Sequence, residues 1–446
     1  MKFKKSYLAI PLSMTLMIPA AGTAFANDGE NHSPTAVTPA SDLRTTLQHY
    51  LSEHAYLAVE AMRRGADGAE DFDAAANALN ANTEDLTAAI TSVYGEEAGN
   101  QFNEMWTNHI GFFVDYVKAT GANDQAAKDE ALNNLDGYRA EFSKFLETAT
   151  GERLESDSLA EGLQMHVNQL VGAFDSYVAG DYDKAYEYER EAINHMHMVA
   201  KGLSSAITDQ YPDKFENTMA VTPAADLRAT LNHLLTEHAA LATMAMQNGI
   251  DGSEDFDASV NALNANTEAL SAAIASVYGE EAGTQFKEMW SNHIGFFVDY
   301  VKATGAEDEA AKKEALQNLD NYRADFSKFL ETATDGRLKS DALSEGLQMH
   351  VDQLVGAFDS YAAGDYEKSF EDIRMAYEHM LNPAKGLSSA IVDQYPDKFA
   401  HDMPSRMPNT GMGGTAEEFP LEYLLAALMT IAGGSVLALK KYAGSK

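Results

Sequence analysis

Histidines that recur at a fixed interval are the residues of this chain best suited to chemistry. The pairs His54 and His238, His109 and His293, His166 and His350, and His195 and His379 are all separated by 184 positions, and the first three pairs are the main candidates. The chain has no cysteine, so imidazole, thioether and carboxylate groups are the available metal ligands. Three imidazoles with an open or fourth position form a site that suits copper or zinc. The pattern therefore predicts one metal ion in each copy.

A methionine is the first candidate for a fourth ligand. Met105 precedes His109 by one helical turn, and Met289 holds the matching place in the second copy. A soft thioether ligand would favour copper. Met62, two turns beyond His54 on the same stripe, and Glu53, beside His54, are further possibilities, the latter also as a supporting contact.

His195 is a weaker fourth candidate, with His379 as its counterpart, because it flanks the apolar stripe of its helix. It opens the segment His-Met-His-Met, which resembles soft-metal clusters, but the second copy lacks the second histidine of that segment. We therefore predict that His197 is solvated. His49 and His233 lie outside the apolar stripes of their helices and are predicted to lie at the surface.

Six apolar-periodic segments position these histidines in the first copy, and no alternating stretch predicts a strand. Their predicted bounds are Ser41 or Asp42 to Arg64, Phe72 to Tyr94, Glu96 to Thr120, Asp124 to Ala149, Ser158 to Ala179, and Asp181 as a cap to Gln210. Short linkers join antiparallel neighbours. We predict an all-α fold, two tandem copies of a six-helix antiparallel bundle, at 41–211 and 226–395, with linkers at 27–40 and 212–225.

The three histidines of a copy share an apolar setting, because each lies among core positions near the middle of its helix. They are thus expected at a similar depth, where unpartnered imidazoles are costly and a metal ion would resolve the cost. Two alternatives remain. Each histidine could be a core residue hydrogen-bonded to the protein, or a haem could bind between the aromatic residues, although no CxxCH segment is present.

The charge of the chain narrows the possible partners. Acidic residues outnumber basic ones by 68 to 32, for a net charge of -36, which disfavours nucleic acid and anionic lipid. No phosphate loop, nucleophile elbow or HExxH pair is present. We do not expect an enzyme.

The two ends carry targeting signals. Residues 1–26 have basic residues, an apolar run and a small-x-small ending, as in a secretory signal peptide. At the other end, the 396–422 spacer holds Met407-Pro408-Asn409-Thr410-Gly411, and an apolar segment at 423–439 and a basic tail at 440–446 follow. An apolar run of this length is just sufficient to hold a precursor in a bilayer.

This C-terminal order resembles the sorting signal of Gram-positive LPxTG-type cell-wall-anchored proteins. Pro408, Thr410 and Gly411 match that motif, and Met407 replaces its leucine. The resemblance implies that a sortase cleaves between Thr410 and Gly411 and joins the chain to the cell wall. The protein would then be secreted and covalently anchored at the cell surface, and only the precursor would use the membrane.

The tandem copies resemble Firmicute surface proteins labelled copper amine oxidase-like, through the TPAxDLR start, the xEHA segment and the MPxTG end. Amine oxidase activity is not expected, because Asn321-Tyr322 is followed by Arg323 and not by an acidic residue. Together these observations predict a cell-wall-anchored protein with two helical domains, each binding copper or, failing that, zinc. A structural spacer or adhesin without a ligand, or a haem-binding surface protein, is the alternative.

Overall fold

The computed structural model describes residues 33–400, and in that range it consists of α-helices without a β-strand. The all-α prediction is confirmed. The predicted signal peptide, the sorting motif and the segment 423–439 lie outside the described residues. Within residues 33–400, no helix combines the length and the apolar character needed to cross a bilayer.

Thirteen long helices carry the two copies, called here repeat 1 and repeat 2. Repeat 1 comprises α1 (Pro39–Asp67), α2 (Phe72–Tyr94), α3 (Glu96–Gly121), α4 (Gln125–Ala149), α5 (Ser156–Val178) and α6 (Tyr182–Gln210). Repeat 2 comprises α7 (Pro223–Asp251), α8 (Phe256–Tyr278), α9 (Glu280–Gly305), α10 (Glu309–Ala333), α11 (Ser340–Ala362), α12 (Tyr366–His379) and α13 (Leu381–Gln394). Short helical turns, Pro212–Phe215 and Pro396–Phe399, follow α6 and α13.

The first helix of each repeat is its central element. Helices α2 to α6 pack each against the next, and α1 contacts α2, α3, α5 and α6. Helix α7 likewise contacts α8, α9, α11, α12 and α13. Both central helices are therefore buried along most of their length.

The start and end of α1 differ slightly from the prediction. Thr38, and not Ser41 or Asp42, is the N-cap, and its side chain accepts from the Ser41 N–H in a reciprocal capping box. At the other end α1 continues past Gly65 to Gly68, whose φ of 61° is left-handed. Gly65 instead allows close packing, since a Cβ there would lie 3.2 Å from the Phe72 ring.

The last helix of repeat 2 is broken where that of repeat 1 is continuous. Pro383 stands where repeat 1 has Val199, and it has no N–H to donate to the His379 carbonyl four residues earlier. The chain accordingly ends α12 at His379 and resumes as α13 at Leu381. Repeat 2 thus has seven long helices, where six were predicted.

The two repeats meet through their central helices and the helices beside them. Helix α1 contacts α7, α6 contacts α7 and α8, and α12 contacts α1 and α2. The repeats are thereby joined in one compact unit within the described residues from Pro34 onward.

Reciprocal ion pairs cross this interface. Arg44 binds Asp226 and Arg228 binds Asp42, each at 2.6 Å. Glu53 of α1 is bound by Arg374 of α12 at 2.9 Å, and Glu237 of α7 is bound by Arg190 of α6 at 3.0 Å. Each pair is the counterpart of the other after exchange of the repeats, as in the interface of a two-fold dimer.

Burial at this interface contradicts three surface predictions. His49 and His197 are 6% and 5% exposed, and His233 is only partly exposed. His49 stacks on Tyr377 of repeat 2, and the rings of His197 and His233 lie 4.6 Å apart across the repeats. These side chains fall off the stripes that face their own bundle because they face the other repeat.

The buried ion pairs should contribute strongly to stability. Replacing Arg374 by Met leaves the Glu53 carboxylate, which is 1% exposed, without its cation. We expect the free energy of unfolding in urea to fall by about 3 kcal/mol, because an uncompensated buried charge is costly. Arg190→Met should behave alike through Glu237. The control is Lys328→Ala, which breaks an exposed pair with Glu331 and should leave the urea midpoint near that of the wild type.

The His197–His233 contact should make the metal-free protein sensitive to acid. Burial, then His233, then Arg44 hold the pKa of His197 well below 6.5. Burial also lowers the pKa of His233, with Glu237 opposing and Arg190 assisting. The unfolded chain therefore takes up protons first as pH falls below about 6.5, and stability falls.

The matched variant is His197→Leu, which installs the residue that repeat 2 has at position 381. With chelator present, the unfolding free energy should decline less steeply from about pH 7 to about pH 5, by up to about 1.4 kcal/mol per pH unit. Equal slopes for wild type and variant would contradict the assignment.

Candidate metal centre

Three alternate helices of each repeat bring the histidines together. His54 lies near the middle of α1, His109 of α3 and His166 of α5. Helices α3 and α5 both pack on α1, and in a chain of antiparallel neighbours the odd-numbered helices run in the same direction. Residues near the middle of each therefore meet at one depth, as the sequence predicted.

The rings of repeat 1 form a tight group. The centroids of His54 and His109 are 5.3 Å apart, and those of His54 and His166 are 5.8 Å apart. Each ring offers a nitrogen that lies within 4.8 Å of the nitrogens offered by the other two. No side chain of this group is more than 4% exposed. This group is called triad 1.

Repeat 2 reproduces this geometry with His238, His293 and His350, called triad 2. Its ring centroids are 5.4, 6.0 and 6.2 Å apart, and its ligating nitrogens also lie within 4.8 Å of one another. The two triads are the groups of three or more histidine or acidic side chains within ligand distance among residues 33–400. Both triads can hold a metal ion.

The imidazole nitrogens have almost no partners within the protein. Neither ring nitrogen of His54, His166, His238 or His350 has a hydrogen-bonding partner among the described residues. His293 is the exception, because its Nδ1–H donates to the Trp290 carbonyl at 3.1 Å. That bond fixes the tautomer and leaves the Nε2 lone pair for a metal. The hypothesis that each histidine is held by the protein fails for most of these atoms.

Aromatic rings enclose each triad. The Trp106 ring lies 4.7 Å from both His54 and His109, and Tyr138 stacks on His109 at 4.8 Å. Trp290 and Tyr322 hold the same places in repeat 2. The sequence analysis did not identify Tyr138 as a neighbour of the triad. Its signal was the α4 stripe, where Tyr138 stands between Leu135 and Phe142.

The enclosure keeps the imidazoles neutral. Burial lowers the pKa of His109 to about 4, against the opposing effect of the Trp106 carbonyl. Burial, then His109, then His166 lower the pKa of His54 well below 6.5. Near neutral pH the rings are therefore unprotonated, which is the form that binds metal.

The structure rules out two of the proposed fourth ligands and leaves the others open. Glu53 turns away from triad 1, because its carboxylate is held by Asn82 and Arg374. Met62 is eight residues from His54, about 12 Å along the helix axis, which is too far for one shared ion. Met105 and Met289 are partly buried on α3 and α9, and their ligation stays a prediction.

His195 and His379 lie beside the third histidine of each triad but outside the ligand groups. Each lowers the pKa of its neighbour, His166 and His350 respectively, after the larger effect of burial. His379 donates from Nε2 to the Gly346 carbonyl at 3.0 Å. They are neighbours of the sites, and their role as ligands stays a prediction.

Comparison with protein-family models, with curated proteins and with solved structures gave no match to this chain. The triads themselves define the chemistry available to the chain: neutral nitrogen ligands in a water-poor surrounding, with no acidic ligand among residues 33–400 within reach.

Proposed function

We propose that this chain is a metal-binding protein of the bacterial cell surface, and that each triad takes up one copper ion. The observation that carries the proposal is the convergence of three buried imidazoles, most of whose nitrogens lack partners among the described residues. Attachment to the cell wall through Pro408, Thr410 and Gly411 is the second part of the proposal. It rests on the sequence pattern of the two ends alone.

The distances suit a small metal ion. Metal–nitrogen bonds of about 2.0–2.1 Å in tetrahedral geometry hold ligand nitrogens about 3.3 Å apart. The nitrogens of each triad lie within 4.8 Å of one another. Rotation of the rings by small amounts would close the difference, which agrees with a site that tightens on its ion.

Charge favours copper in its monovalent state over zinc. The cost of moving an ion into a low-dielectric interior rises with the square of its charge. Each triad is neutral, and no carboxylate of the described residues joins it. A monovalent ion bound by three imidazoles is therefore the less costly occupant, whereas Zn²⁺ would need to bring an anion such as hydroxide. Imidazole suits both metals, so zinc is the second candidate.

Capture and storage at the envelope are the roles this arrangement supports. The ligands belong to buried parts of three helices, and the chain has no cysteine that copper could oxidise. Two similar sites in one chain raise its capacity. A structural spacer without a ligand, the main alternative, would leave the imidazole nitrogens unsatisfied, at a cost for each buried group.

Metal content provides the first test. Protein purified without a histidine tag, loaded with copper under reducing conditions and dialysed should hold about two ions per chain by elemental analysis, since each triad supplies one site. His109→Ala should hold about one, and His109→Ala with His293→Ala close to none. The same loading should raise the melting temperature of the wild type.

The matched control is His195→Ala, a histidine beside triad 1 but outside it. It should keep the wild-type copper content. A wild-type protein that retains no copper or zinc, with a melting temperature unchanged by either ion, would contradict the metal-binding proposal and favour a structural role. A Soret band on titration with haem would instead favour haem.

Tryptophan fluorescence provides the second test. The two tryptophans of the chain each pack on two triad histidines, at 4.7 to 4.9 Å between ring centroids. Oxidation of bound copper to paramagnetic Cu²⁺ should quench both, whereas Zn²⁺ should not. Trp106→Phe leaves Trp290 to report on triad 2, and adding His293→Ala should abolish its quenching. Quenching that persists in this variant would place the copper elsewhere.

A further inference from the structure

The helix break in repeat 2 accompanies an opening in the bundle wall. At the break, Met380 N–H donates to the Tyr377 carbonyl and Ala384 N–H to the Met380 carbonyl, both long at 3.3 Å. Leu387 of α13 is partly exposed, whereas its counterpart Leu203 on the unbroken α6 is buried. The segment after Pro383 therefore packs less closely than the same segment of repeat 1.

A cavity of about 310 Å³ lies behind this segment. It runs from the gap between α11 and α13 to Trp290 and His350 in the interior. Exposed residues Lys339 and Asn382 stand among its lining, so the cavity is reached from solvent. Leucine, isoleucine and phenylalanine side chains make up most of the rest of its wall.

The polar atoms inside the cavity are few. His379 is satisfied by its bond to the Gly346 carbonyl. His350, by contrast, is 5% exposed and neither of its ring nitrogens has a partner among the described residues. A guest would therefore meet apolar walls, this unsatisfied imidazole and the Trp290 indole N–H, which also lacks a partner among the described residues. A charged guest would lose its hydration without a counter-charge in that interior.

The size of the cavity sets the size of the guest. An apolar cavity of about 150 Å³ is enough to bind benzene, and pockets of roughly 300 Å³ and above hold small organic ligands. The space beside His350 is about twice that of the benzene site. It fits a compact bicyclic molecule with one polar atom.

We propose that repeat 2 binds an uncharged, mainly apolar small molecule in this cavity, with its single hydroxyl or carbonyl group directed at His350. The cavity shares His350 with triad 2, but this imidazole has two ring nitrogens, of which a metal would use only one. The inference therefore stands whether or not triad 2 takes up copper.

Repeat 1 offers an internal comparison. At Gly162, an added Cβ would lie 3.9 Å from two atoms of the His195 ring, whereas at the equivalent Gly346 it would meet nothing within 4 Å. The wall around position 346 is therefore the more open one. A large side chain at Gly346 would enter the cavity of repeat 2, and the same change at Gly162 is its matched control.

The experiment uses metal-free full-length protein carrying Trp106→Phe, so that Trp290 reports alone. Borneol, a rigid bicyclic alcohol without near-ultraviolet absorption, is titrated by calorimetry and tryptophan fluorescence. A single molecule should bind per chain and shift the Trp290 emission. Bornylamine, of similar shape but protonated at neutral pH, should bind at least about tenfold more weakly, because no acidic side chain of the described residues lines the cavity and Lys339 at its mouth would repel the cation.

Two substitutions locate the site. Gly346→Phe should weaken borneol binding at least about tenfold by filling the cavity, and Gly162→Phe should leave it unchanged. Pro383→Val, which restores the residue of repeat 1, should also weaken it by closing the break. Circular dichroism confirms that each variant is folded. Absence of binding up to about 1 mM, or equal losses in Gly346→Phe and Gly162→Phe, would overturn the proposal.

Discussion

Two buried glutamates, each neutralised by an arginine of the other repeat, set the orientation on which both histidine triads depend. Glu53 directly precedes His54, and Glu237 directly precedes His238. Neighbouring residues on a helix point about 100° apart. When Arg374 holds Glu53 toward repeat 2, His54 is turned toward α3 and α5 of its own repeat. The contact between the repeats thus fixes the rotation of α1 about its axis and thereby directs the His54 imidazole into its own bundle.

Because α1 packs against both its own bundle and the other repeat, only some of its features could be predicted from the sequence. The convergence of His54, His109 and His166 follows from apolar periodicity and antiparallel order, both of which are local properties. The burial of His49 and His197 does not follow, because a stripe analysis assigns one buried face to each helix. Helix α1 has two, one toward its own bundle and one toward the other repeat, and the second face is largely polar.

The second buried face of α1 was not predicted because it carries charged residues. Glu53, Glu60 and Arg63 are 1%, 1% and 8% exposed, yet in isolation such residues indicate a solvated surface. Glu60 pairs locally with Arg63 and Arg64, but Arg63 also pairs with Asp255, and Glu53 pairs with Arg374, both far along the chain. Only a three-dimensional arrangement reveals them. The helix break, by contrast, could have been predicted from the sequence, because Pro383 interrupts an otherwise helical pattern.

The repeats have kept the same centre while their walls have diverged. Both triads, their tryptophans and their stacked tyrosines superimpose in sequence and in ring spacing. The differences lie outside them: Val199 against Pro383, and His197 against Leu381. The two repeats share the residues that hold and surround the imidazoles, and they differ in the wall residues around the helix break.

The reciprocal ion pairs between the two repeats also limit how many repeats such a chain can contain. Asp42, Glu53, Asp226 and Glu237 each already have an arginine donor in the other half, so this reciprocal pairing is complete with two halves. A third copy would arrive with surplus buried ions and no complement, unlike an added unit in an open-ended solenoid. A longer chain built on this architecture should therefore contain an even number of repeats.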